Sequence, residues 1–235
     1  MIHLAIADPA NIDEALKQCT QSPNLPESIN TLVALAVDKE ELTTESLINT
    51  LQLICRRDVQ RVPKQFFQVL DKLTRQSFDN PTGKRVADIL NGSPNTEYFF
   101  TAASSNTTAQ TSLTETNSIG RWTLTLIVAA SNQTSAEQQS VAKRQITSGI
   151  EQTALQGTMI KAATWIGSRE LDTPIWNLQQ SATPAIAELA KTAISSLKIE
   201  SPKEDKTPLL KSLQLNQSIQ RVTNSPGNAS LGKTI

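Results

Sequence analysis

In the stretch Arg121-Trp122-Thr123-Leu124-Thr125-Leu126-Ile127-Val128, large apolar residues alternate with threonine. A period of two marks a half-buried strand, and Thr, Ile and Val favour pleated backbone, so the segment reads as a β-strand. Met159 to Ile166 (MIKAATWI) reads as a second strand. Between them Thr134 and Glu137 have capping-box spacing and open a helix carrying Val141, Ile146, Ile150 and Ala154, with Gly157 as its stop. Residues 121–167 therefore predict a βαβ-like unit, with parallel strands and a right-handed crossover. Two strands alone are marginally stable, so Ile2–Ile6 or Tyr98–Phe100 is a candidate third.

Upstream the apolar spacing changes to that of helices. Asp8 and Pro9 supply an N-cap and a first-turn proline for a helix running to about Thr20. Asn24 and Glu27 have capping-box spacing before Ile29, Leu32, Val33, Ala36 and Val37, a one-sided stripe. A third helix starts near Thr43 or Thr44 and carries Leu47, Ile48, Leu51, Ile54 and Cys55. Pro63 opens a fourth, with Phe66, Phe67, Leu70 and Leu73 inward, and Asn80-Pro81 a fifth that stops at Asn91-Gly92. The helices recur about every 18 residues without a shared motif, so a bundle is favoured over a helical-hairpin solenoid.

Residues 101–118 lack apolar periodicity and read as a linker or surface loop, with Glu97–Phe100 before them a strand or an anchor. Further helical segments begin at Thr173-Pro174 and Thr183-Pro184, the latter with Ile186, Leu189, Ala190, Ala193, Ile194 and Leu197 on one face. From Lys198 the chain is polar and proline-punctuated. The expected fold class is thus α+β, mainly α. A helical bundle over 1–97 is followed by a polar linker or loop over 98–118, a small α/β module over 119–197 and a flexible tail over 198–235.

Composition removes several function classes. Lys plus Arg and Asp plus Glu both number 22, so no global field selects nucleic acid or an anionic membrane. The first residues have no basic n-region and too short an apolar run for a signal peptide, and no stretch is long enough to span a bilayer, so a cytoplasmic location is expected. Asn-x-Ser/Thr triplets at Asn91, Asn106, Asn132, Asn216 and Asn228 are what so Ser-, Thr- and Asn-rich a chain produces by chance. Cys19 and Cys55 read as free thiols and form no zinc motif. One histidine, His3, gives little scope for triad chemistry. Gly232-Lys233-Thr234 lacks the rest of a phosphate loop, so no cofactor and no metal are expected. The carboxylate pairs Asp13-Glu14 and Glu40-Glu41 read as solvated helix positions.

Charge distribution is the positive signal. Residues 1–55 carry 8 acidic and 2 basic side chains, a net of −6, while 56–88 carry 8 basic and 4 acidic, a net of +4. The basic set is Arg56, Arg57, Arg61, Lys64, Lys72, Arg75, Lys84 and Arg85, of which all but Lys72 are candidate contacts for a partner or for phosphate. Trp122, Trp165 and Trp176 are either core or hydrophobic hot spots for a partner. These features predict a non-enzymatic interaction or assembly protein acting through charged helical faces, by self-association or with a protein partner. The alternatives are an RNA- or nucleoprotein-associated factor using the basic stretch 56–85, and an enzyme of unrecognised type.

Overall fold

Ile119–Ala130, which contains the strand-like alternation, is an α-helix in the computed structural model, which describes residues 8–25, 27–57, 64–104 and 118–201. The reason is burial on every side: each residue from Trp122 to Ala129 is buried. A helix sunk in a core shows no polar stripe, so the 3.6-residue period vanishes and the chance alternation of Leu with Thr remains. Thr125 fits an apolar helix because its hydroxyl bonds the preceding turn, donating to the Arg121 carbonyl at 3.0 Å.

The second predicted strand is also helical. Thr153–Ile166 forms one helix ended by Gly167, which takes a left-handed φ of 72° that a glycine adopts without strain. Gly157 lies inside that helix, and the chain breaks earlier, at Glu151 and Gln152. Tyr98–Phe100 is helical too, within Thr96–Ser104. Among the described residues there is no strand, so the α+β expectation with its βαβ unit is corrected to all-α. Ile2–Ile6, Arg61, Pro63, His3, residues 105–117 of the predicted 98–118 linker and residues 202–235 of the predicted 198–235 tail lie outside the described residues.

Eleven α-helices follow a 3-10 turn at Pro9–Asn11 among the described residues. They are α1 (Ile12–Gln21), α2 (Ile29–Asp38), α3 (Thr44–Arg56), α4 (Lys64–Gln76), α5 (Asn80–Asn91), α6 (Thr96–Ser104), α7 (Ile119–Ala130), α8 (Ala136–Ile150), α9 (Thr153–Ile166), α10 (Asp172–Leu178) and α11 (Pro184–Leu197). All belong to one compact unit, Met1–Glu200. Several starts follow the sequence signals. Thr43 accepts from Ser46 N at the head of α3, and Asp79 from Thr82 N at the head of α5, where Pro81 occupies the first turn. Two capping boxes shift: α2 is preceded by Ser28, and α8 is capped by Ser135, whose side chain accepts from Gln138 N. Thr134 instead donates its hydroxyl to Val128 O and Ser131 O.

Helix α3 packs against α1, α2, α4 and α5, and α9 packs against α5, α7, α8 and α11. Helix α7 touches α4, α5, α6, α8 and α9 and is the centre of the second half. A single apolar cluster extends from Ile12 to Ile199. Ile199 is held there by a turn that closes α11, with Lys198 in the left-handed region at φ 54° and Ile199 N donating to Ile194 O at 3.0 Å.

Candidate interaction surface

Helices α1, α3 and α5 point the same way, and this orients the charges. At their leading ends Ser46 Oγ donates to Asp13 Oδ1, and Arg85 reaches from α5 to Glu45. At their trailing ends the Arg56 guanidinium donates to Thr20 O and Ser22 O, each at 2.8 Å, where α1 ends. Ser93 Oγ and Asn95 Nδ2, just beyond α5, donate to Cys55 O at 3.0 and 3.2 Å. A helix N-terminus carries partial positive charge and its C-terminus partial negative charge. The acids Asp13, Glu14, Glu45 and Asp79 sit at the positive poles, and Arg56 serves a negative one. Part of the −6/+4 split is therefore complementarity to three parallel helices.

Among the described residues, the other basic side chains are spread over the end of α3, α4 and α5. Arg75 pairs with Asp71 one turn back at 2.6 Å. Arg85 forms a two-pronged bridge to Glu45 at 2.6 and 2.8 Å, which holds the Glu45 carboxyl below its usual range. Lys84 is exposed on α5. Arg57 is half-buried, and desolvation pulls its guanidinium below the ordinary value. Lys64 starts α4, and Arg61 lies outside the described residues. Lys72, which was not a candidate contact, donates to Val37 O and Lys39 O at 2.5 and 2.8 Å and caps α2.

The tryptophans divide in the same way. Trp122 is buried with its ring against Gly149, where an added Cβ would lie 2.5 Å from Cη2. Trp165 is 1% exposed, with Phe78 stacked over it at 5.6 Å and an interplanar angle of 17°. Trp176 is partly buried against the core. Trp122 and Trp165 are thus core side chains, and Phe78 is the exposed large aromatic at 43%.

One set of charges runs against the local field. Asp38 ends α2, and Glu40 and Glu41 follow it, so three exposed carboxylates crowd the negative pole of that helix. The cations nearby are Lys72, committed to the α2 carbonyls, and Lys39, 4.0 Å from Asp13. Asp38, Glu40 and Glu41 have no ion-pair partner among the described residues. Asp13 borders them, 4.0 Å from Lys39, and the three carboxylates form an acidic edge at the turn between α2 and α3. Reading the sequence as charge blocks drew attention to the basic stretch and left Glu40-Glu41 as ordinary solvated positions. Only their place at a helix C-terminus distinguishes them.

A shallow cleft of about 210 Å³ opens between the trailing ends of α3 and α5, lined by Gln52, Cys55, Arg56, Asp88, Ile89 and Ser93. Burial pushes the Cys55 thiol up to about 12, which leaves it a protonated, poor nucleophile near neutral pH. Among the described residues no three His, Cys, Asp or Glu side chains are arranged to hold a metal ion, and no helix is long and apolar enough to cross a membrane. No family model, curated protein or solved structure matches the chain.

Proposed function

We propose that this chain is a non-catalytic interaction or assembly protein that binds a basic protein surface through the acidic edge at the α2–α3 turn. The observation that supports this reading is the position of Asp38, Glu40 and Glu41 at the negative end of α2. There they repel the helix pole and one another, a local cost with no offsetting bond among the described residues. A cationic partner would relieve that repulsion on binding, and the exposed carboxylates would speed encounter by electrostatic steering.

The nucleic-acid reading is less well supported. It depends on free cations in the basic stretch, whereas Arg56 and Arg85 are used within the fold and Arg75 pairs with Asp71. Among the described side chains, exposed Lys84 and half-buried Arg57 remain, which gives little for a phosphate backbone to hold.

The test is a triple variant, Asp38→Asn, Glu40→Gln and Glu41→Gln, compared with the native chain in affinity capture from the host and in sedimentation at low and high salt. The expected result is a higher melting temperature together with loss of a captured protein, or of a salt-sensitive self-associated species. Unchanged capture and sedimentation, with the melting temperature raised, would overturn the proposal and leave the edge a purely structural cost.

A further inference from the structure

We draw no further inference here: the strongest candidate, the cleft between the trailing ends of α3 and α5 lined by Gln52, Cys55, Arg56, Asp88, Ile89 and Ser93, carries nothing because its Arg56 and Ser93 donors are already bonded to backbone carbonyls and nothing in the structure shows what covers it.

Discussion

Gly83 on α5 lies directly against the main chain of Trp165 on α9, and a Cβ added at Gly83 would stand 2.0 Å from the Trp165 carbonyl oxygen and 2.5 Å from its carbonyl carbon. This contact is where a helix of the first half crosses one of the second, and both belong to one apolar cluster. The obstacle is backbone, which cannot swing aside as a side-chain tip can.

Gly83→Ala should therefore destabilise the protein by on the order of 3 kcal/mol through overpacking, despite the better helix propensity of alanine. Gly157→Ala provides the contrast. Its new Cβ would meet only Ile186 Cδ1 at 3.4 Å and Leu189 Cδ1 at 3.7 Å, so the gain in helix propensity of up to about 1 kcal/mol should prevail. Denaturant unfolding of both variants checks this; equal effects of the two substitutions would refute the close crossing.

Arg56 should behave as a cap on another helix. Arg56→Ala removes both hydrogen bonds to the end of α1 and should cost about 1 kcal/mol, with hydrogen exchange rising selectively in Ile12–Gln21. Arg56→Lys should restore only part of this, since an ammonium lacks the planar fork that spans two carbonyls. Uniform exchange changes across all helices would contradict a local capping role.

Thr123 is fully buried in α7, and its hydroxyl oxygen has no hydrogen-bond partner. Thr123→Val removes that unsatisfied group at nearly constant shape, so stability should rise by about 1 kcal/mol. Thr125→Val deletes a hydroxyl that bonds Arg121 O and should give no such gain. Thermal melts of the pair distinguish the two cases, and a loss at Thr123 would mean that its hydroxyl is satisfied.

Both cysteines should resist alkylation in the native state and react on unfolding, since burial raises both thiols and takes Cys55 from 9.0 to about 12. The pH dependence has a fixed sign. Below the unfolded value of 9.0 the Cys55 thiol is protonated in both states and costs nothing; as pH rises from there toward about 12 only the unfolded chain ionises, and stability falls. Cys55→Ala should flatten that alkaline loss. Rapid native labelling at Cys55 would contradict its burial.

The sequence by itself determined the first half well, because each of its helices is amphipathic and its punctuation is local. Ile29 to Val37 shows a one-sided stripe, Thr43 caps through a bond three residues away, and Pro81 sits in the first turn of α5. Such signals live within a few residues and need no knowledge of neighbours. It also fixed the charge blocks, though not their meaning. The tertiary structure decided the rest. Whether Trp122 to Ala129 is strand or helix depends on what surrounds it, and a segment buried on all sides carries no polar face to reveal its period. Whether a glycine ends a helix or admits a neighbour is equally non-local: Gly157 lies under Ile186, and Gly83 under Trp165. Part of the charge split has a cause in the parallel course of α1, α3 and α5, which puts Asp13, Glu14, Glu45 and Asp79 at positive poles and Arg56 at a negative one. Against that pattern Asp38, Glu40 and Glu41 stand out, since the direction of a dipole is set by how helices are laid beside one another and not by the order of residues along the chain.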